Sequence, residues 1–438
     1  MIALFAYRIA LILLLPVVLL LLLIRSNSNP QYRQKLSERL GLFPKPIKKG
    51  GIIVHAASVG EVLALRGFIE QLLVLYPHLP LTVTTFTPTG AEQVRKLFEG
   101  RVQMGYLPLD ILPCTTLFLH RLQPELIIFM ETELWPNLVS QCANKKIKLL
   151  LINGRLSDNS MKSYKKLSGL ITPTLNGFDN ILAQSQDNAV NFLQLGAVKA
   201  KCSVSGNLKF DIKIDNTITD KQQELNALLP CERPILLLAS SHEGDEEIVL
   251  DAFEHLLTAH PTLLLILVPR HPERFEQVAN LCRHRNLSFA KRSDNEAITT
   301  QQIWLLDTLG ELMATFSCAD IVMMGGSFST IGGHNPLEPA FFSKPVIVGD
   351  DMSNFKEISQ QLLQSNAMIQ LTNRHKKEPS QALTEAVMDL LQDKEKQIAL
   401  GKNALDVVMQ NQGATQTTLS AVHALLNTST PPNHLSEK

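Results

Sequence analysis

Short runs of unbroken apolar residues alternate along this chain with longer segments whose apolar positions recur at helical spacing. GIIVHAAS (51–58) predicts a buried strand, and EVLALRGFIEQLLVLYP (61–77) an amphipathic helix. LTVTTFT, PELIIFME (124–131), IKLLLING and DNILAQS predict further strands. Helices are expected over AEQVRKLFEG, which ends at Gly100, and from about Pro136. Strands apolar on both faces, each followed by a helix, imply a parallel sheet covered on both sides. The polar stretch DIKIDNTITDKQQE (211–224) interrupts the pattern, and then it restarts. PILLLASS (234–241), TLLLILVPR, DIVMMGGS (320–327) and PVIVGD (345–350) predict strands, and EEIVLDAFEHLLTAH and ERFEQVANLCRHRN predict helices. Two doubly wound α/β domains follow, joined near 211–230. Helical residues from Gln381 onward either complete the second domain or pack back on the first.

The first residues follow a different pattern. Ile9 to Ile24 reads IALILLLPVVLLLLLI, without a charge or a polar side chain, between Arg8 and Arg25. A spanning helix needs about 20 apolar residues. This run is slightly short, and MIALFAY extends it if Arg8 snorkels. Pro16 is tolerable in a membrane helix. IRSNSNPQYRQKL lacks the small-residue pattern of a cleavage site, which favours a retained anchor over a cleaved signal. Arg25, Arg33, Lys35, Arg39, Lys45, Lys48 and Lys49 lie downstream, so the positive-inside rule places the large remainder in the cytosol. The basic stretch 33–49 is either a topology signal alone or also a contact for anionic head groups. The expected division is an anchor over 1–30, α/β domains over 31–220 and 221–425, and a polar tail over 426–438.

Composition narrows the function classes. The 438 residues carry 41 Lys+Arg against 41 Asp+Glu, so net charge is zero, and 45% are hydrophobic. That is globular composition, and the balance argues against nucleic-acid binding through bulk electrostatics. The six cysteines, at 114, 142, 202, 231, 282 and 318, never stand at CxxC spacing. Neither a zinc site nor a thiol redox motif is visible, and scattered cysteines fit a reducing compartment.

Ligands of open α/β sheets bind beyond the carboxyl ends of the strands, and the chemically distinctive segments fall there. In HAASVGEV (55–62), Glu61 opens a helix after a small-residue turn. It is either a general base toward an acceptor hydroxyl or a first-turn acid complementing the helix dipole. In METELWPN (130–137), Glu131 and Glu133 flank Thr132. NGRLSDNS (153–160), SQDN (185–188) and GNLKFD (206–211) place Asn153, Arg155, Ser157, Ser185 and Lys209 near strand ends, where Lys209 would counter negative charge. The serines of SSHEGDEE (240–247) are candidates to cap a helix or bind phosphate. VPRHPERF (268–275) offers Arg270, whose planar fork suits phosphate or carboxylate. His271 has no second metal ligand at a suitable spacing. In MGGSFSTIGGHNPLEPA (324–340), Gly325, Gly326, Gly332 and Gly333 permit close backbone approach to a ligand. Asn335 and Pro336 begin a helix, with Glu338 in its first turn. The segment is neither a Walker A loop nor GxGxxG.

Together HAASVGEV, ETELWPN, NGRLSD, GNLKFD, ASSHEGDEE, VPRHPE and GGSFSTIGGHNPLEPA, in this order, resemble the Kdo (3-deoxy-D-manno-oct-2-ulosonic acid) transferases of lipopolysaccharide biosynthesis, from the anchor to about residue 420. The resemblance implies the GT-B architecture: two Rossmann-like domains facing a central cleft, behind the N-terminal anchor helix. It implies transfer of Kdo from CMP-Kdo to the lipid A precursor at the cytoplasmic side of the inner membrane. It assigns Glu61 as general base, Glu131 and Lys209 as transition-state stabilisers, and Pro269, Arg270, Gly310, Glu311, Leu312 and Asn335, Pro336, Leu337, Glu338 to the nucleotide. CMP-Kdo carries one phosphate, so an arginine and a helix amino end suffice, and no metal or other cofactor is expected. Attack opposite the leaving group predicts inversion. The alternatives are another GT-B enzyme using a UDP-sugar and a tethered scaffold without catalysis. The number of Kdo units, acceptor acylation, oligomeric state and whether the first helix spans or lies shallow are not legible.

Overall fold

The computed structural model describes residues 2–28, 35–43, 47–214, 216–229, 232–372 and 378–427. Arg33 and Lys45 of the basic flank, Cys231 and nearly all of the polar tail lie outside them. The chain divides into two compact units, Met1–Asp211 with Gln412–Lys438, and Ile212–Asn411. The expected junction near 211–230 thus falls at its early edge. The second unit ends at Asn411, before the expected 425, because the helix Ala414–Asn427 returns to the first.

The first unit is built on a seven-stranded parallel sheet in the order β3-β2-β1-β4-β5-β6-β7. Its strands are β1 (Ile52–His55), β2 (Leu81–Thr85), β3 (Gln103–Tyr106), β4 (Leu126–Met130), β5 (Lys148–Gly154), β6 (Asn180–Ala183) and β7 (Cys202–Val204). The chain runs outward from β1 to β3, then returns to β4 on the other side of β1. The switch in strand order therefore lies between β1 and β4, where Ile52–His55 pair in register with Leu126–Phe129. All residues of both strands are buried. Alternate side chains enter different cores: Ile53, Ile127 and Phe129 one, and Ile52, Val54, Leu126 and Ile128 the other. That explains the absence of polar alternation in the sequence. Leu419, Val422, Leu425 and Leu426 of the returning helix join the second of these cores.

The helix Ile2–Ser28 contains a stretch of 26 residues apolar and long enough to cross a membrane, Ile2–Asn27. One side of it rests on the first unit. Leu11, Leu15 and Val18 pack against Leu109, Ile111 and Cys114. The Tyr7 hydroxyl donates to Asp110 at 3.0 Å, and Arg8 Nε donates to Asn137 at 2.9 Å. Asp110 also accepts the backbone N–H groups of Asn137 and Leu138, at the start of the helix Pro136–Asn144. Arg8 thus has a protein partner. Phe5, Ile12, Leu13, Leu20 and Ile24, on other sides, remain exposed.

The second unit has a seven-stranded parallel sheet in the order β10-β11-β9-β8-β12-β13-β14. These are β8 (Ile235–Ser241), β9 (Leu264–Pro269), β10 (Phe289–Lys291), β11 (Ile303–Leu305), β12 (Ile321–Met324), β13 (Val346–Val348) and β14 (Ile369–Gln370). The switch lies between β8 and β12, paired from Leu236 opposite Ile321 to Ala239 opposite Met324. Leu383, Val387, Leu390 and Leu400 of two C-terminal helices belong to its core. The helices from Gln381 thus complete this unit, and only the last returns to the first.

Candidate active site

Glu61 lies just beyond β1, in the short helix Val59–Ala64, and Glu131 just beyond β4. They flank the switch point of the first sheet. The extended backbone of Ser58 lets its hydroxyl cap the helix, accepting from the Glu61 N–H. The Glu61 carboxylate reaches back in turn. Its Oε2 accepts the Ala57 N–H at 2.8 Å, and its Oε1 accepts the Ser58 hydroxyl at 2.9 Å. This reciprocal arrangement fixes the carboxylate but leaves a lone pair on each oxygen for an incoming hydroxyl. Burial raises the Glu61 pKa above the ordinary carboxylate value. The Ala57 and Ser58 hydrogen bonds oppose that shift, and the negative charges of Glu131 and Glu133 add to it. Ser58 is thus the cap and Glu61 a first-turn acid bonded back to it, and its raised pKa is compatible with either expectation for this residue.

Glu131 adopts the left-handed backbone region at φ +59° while its N–H bonds to Ile152 of β5. Such a conformation costs a non-glycine residue energy, and it turns the chain sharply out of β4. Glu133 follows, accepting from Trp135 Nε1 at 2.9 Å, with the buried His55 imidazole at 3.7 Å. His55, at the end of β1, is held on its other nitrogen by Thr84, its Nδ1 lying 3.0 Å from the Thr84 hydroxyl. Lys209 follows β7, two strands from β5, yet its short 3₁₀ turn is drawn inward. Asn153 at the end of β5, at φ +52°, accepts the Leu208 N–H at 3.0 Å, and Leu208 is buried in the core shared by β1 and β4. Glu61, Glu131 and Lys209 thus share one edge of one sheet. Ser157 and Ser185 cap the helices that follow them.

In the second unit Arg270 stands just past Pro269 at the end of β9. Its side chain is exposed, and its backbone N–H is tied to Ser241. Asp245 clamps the two loops at the switch point, its Oδ2 accepting the N–H of His242 at 2.8 Å and of Gly326 at 2.6 Å. Asn335 caps the turn that opens the helix Leu337–Phe341, accepting the Leu337 N–H. Burial pushes the Glu338 carboxyl up to about 7, against the lowering effects of Asn335 and Arg270. Gly310, at φ +79°, and Glu311 precede Leu312, the first residue of its helix. The Glu311 carboxylate is engaged by Arg292 and Thr308. Its side chain therefore holds the segment together, as do Lys221 on the Gly310 carbonyl and Thr315 on the Glu311 carbonyl.

Two expectations for this unit are narrowed. Ser241 neither caps a helix nor awaits a phosphate: it is buried and donates to Glu246 at 2.7 Å, which also accepts from Arg274. Three of the four glycines of 324–340 lie against protein neighbours. A Cβ on Gly325 would meet the Ser240 carbonyl at 2.3 Å, one on Gly332 the Asn354 side chain at 2.6 Å, and one on Gly333 the Met352 sulfur at 2.3 Å. Gly332 and Gly333 are also left-handed. At these three glycines the close approach is to the fold itself. Among the described residues no cluster of three or more His, Cys, Asp or Glu is arranged to hold a metal ion.

Residues 34–212 match the family model of 3-deoxy-D-manno-octulosonic-acid transferase (kdotransferase). A 3-deoxy-D-manno-octulosonic acid transferase of Haemophilus influenzae is 39% identical over 428 residues, 96% of this chain and 98% of the relative. The chain belongs to the Kdo transferase family. A second Kdo transferase, from Rickettsia bellii, is 33% identical over 82% of this chain and 85% of its own length. A UDP-GlcNAc 2-epimerase from Neisseria meningitidis, solved with UDP-GlcNAc, covers 86% of this chain and 100% of its own with a TM-score of 0.56. At 16% identity that likeness shows the fold alone, the two-unit α/β architecture of GT-B enzymes. The sequence resemblance to Kdo transferases therefore holds across nearly the whole chain, including the switch points of both sheets.

Proposed function

We propose that this protein is an inverting glycosyltransferase that moves Kdo from CMP-Kdo to the lipid A precursor. The observation that carries the reading is Glu61 in a Kdo transferase family member. Its carboxylate is fixed by Ala57 and Ser58 beyond β1, and burial and Glu131 increase its proton affinity. A base of this kind takes the proton of an acceptor hydroxyl as that oxygen attacks the anomeric carbon. The bond to the CMP phosphate oxygen breaks on the opposite face, which inverts the configuration. Positive charge grows on the sugar in the transition state and negative charge on the departing phosphate. The Glu131 carboxylate stabilises the first and the Lys209 ammonium the second. Arg270, Pro269, the 310–312 turn and the 335–338 segment hold the nucleotide, with Arg270 as the countercharge of its single phosphate.

The acyl chains of the acceptor give the helix Ile2–Ser28 its role. Its exposed apolar sides anchor the chain in the inner membrane, with Arg25 at the end of the apolar run and the two α/β units on the cytoplasmic side. Packing of Leu11, Leu15 and Val18 on Leu109 and Ile111 joins the anchor to the unit that carries Glu61. Incubation of the full chain with CMP-Kdo and the lipid A precursor, followed by mass spectrometry, tests the reading. The product gains the mass of Kdo, and the same spectrum counts the units added. A gain only with a UDP-sugar donor would refute it in favour of another GT-B activity.

A further inference from the structure

Three histidines gather at the switch point of the second sheet, none with a role in the reading above. His242 follows β8, His271 follows β9, and His334 closes the glycine loop that follows β12. The His242 and His334 rings are within 6° of coplanar, with centroids 5.1 Å apart, and their Nε2 atoms are 2.8 Å apart. That nitrogen separation plus the two ring radii accounts for the whole centroid distance, so the rings meet edge to edge. His271 stands across His242 at 5.4 Å between centroids, inclined by 75°.

A nitrogen pair at this distance is a hydrogen bond, so one Nε2 carries hydrogen and the other offers its lone pair. The donor ring then has a free lone pair on Nδ1. A proton added there makes it an imidazolium whose Nε2–H still points at its neutral partner, and the bond becomes charge-assisted. A second proton would set two N–H groups against each other. The pair therefore holds net charge zero or plus one, and not plus two.

The surroundings keep it at zero without a ligand. Burial comes first, depressing His242 and pushing His334 down to about 4, and the nearby Arg270 and His271 repel a further positive charge from both. Arg274 adds to this repulsion at His242, and Asp245 opposes it. A bound anion cancels the repulsion and adds attraction. We propose that the His242–His334 pair takes up one proton as the anionic nucleotide seats beside Arg270 and His271, so that nucleotide and proton bind together. This rests on the placement of the nucleotide at Arg270 proposed above, and it supplies a second countercharge beside that arginine.

Calorimetry of CMP binding to the full chain in buffers of different ionisation heat tests the proposal. The measurement belongs at about pH 7.5, where the phosphate of CMP is already doubly charged, since its second pKa is near 6. The expected result is an enthalpy that varies with buffer, corresponding to uptake of up to one proton per CMP. Affinity should weaken as pH rises, approaching tenfold per unit. His242→Asn and His334→Asn should each abolish the buffer dependence while weaker CMP binding persists. Glu338 and His271 are the other titratable groups beside the nucleotide, and Glu338→Gln and His271→Asn should each retain the uptake. Binding with buffer-independent heat, or uptake lost only in Glu338→Gln or only in His271→Asn, would overturn the proposal and leave the nucleotide site standing. Absence of CMP binding to the unsubstituted protein would overturn both.

Discussion

Glu61 braces the Ser58 cap of its own helix, and burial and two neighbouring carboxylates raise its pKa. A base must be deprotonated to act, so activity should fall as pH drops through its raised pKa, above the ordinary glutamate value of about 4.3. Glu131→Gln removes a negative neighbour and lowers that pKa. The acidic limb of kcat/KM should move to lower pH, whatever the loss in kcat. A limb that stays in place would separate Glu131 from Glu61. Asn153 shows why a polar residue in an apolar strand end is structural here. Its side chain satisfies the buried Leu208 N–H from a left-handed backbone. Asn153→Ala should destabilise the first unit by about 2–3 kcal/mol, the cost of an orphaned buried donor plus left-handed strain. Thermal unfolding would register this as a lowered midpoint. The motifs were legible as residue types. Their geometry was not, because the Asn153 to Leu208 bond joins positions far apart in sequence, and because the positive φ of Glu131 has no glycine to signal it.

At the scale of elements, the strands flanking both switch points were legible because sheets covered on two faces leave no polar alternation. β1, β4, β8 and β12 are all apolar runs of that kind, apart from the ends of β1 and β8. Those missed were β3, β7, β10, β11 and β14. β7 and β10 are three-residue edge strands, CSV and FAK, with partly exposed side chains, and β14 has two residues. A run that short carries no period. The helix expected over 61–77 is divided at Leu65 into Val59–Ala64 and Arg66–Leu75, which leaves Glu61 in a short segment of its own. The first helix was plain from its apolarity, but its lateral ties through Tyr7 and Arg8 depend on Asp110 and Asn137, more than a hundred residues away. Removal of residues 2–28 should shift the protein from the membrane to the soluble fraction. Retention in the membrane pellet at high salt would assign the attachment to another surface.

Across the whole chain, the two sheets repeat one device. The order reverses between the first strand and a later one, and the chemically distinctive residues lie at that reversal: Glu61 and Glu131 in one unit, His242 and His334 in the other. The second half of the chain was legible as a separate α/β unit, whereas the return of Ala414–Asn427 to the first was not. Its apolar spacing fits either core, and only packing of Leu419 and Val422 into the core that also holds Ile52 and Leu126 decides. Arg270 is an exposed cation at a strand end of the second unit. Arg270→Ala should weaken CMP binding by about 10–100-fold, the worth of a charge-assisted hydrogen bond. Unchanged affinity in calorimetry would remove it from the nucleotide site.

The most direct measurement is the rate of Kdo transfer by the full-length Glu61→Gln variant with saturating CMP-Kdo and lipid A precursor. Glutamine keeps the shape of the side chain but cannot accept the proton. The rate should fall by at least about 100-fold, the usual contribution of a general base, while CMP binding is retained. A rate within about threefold of the unsubstituted protein would show that the acceptor hydroxyl loses its proton elsewhere and would contradict the mechanism.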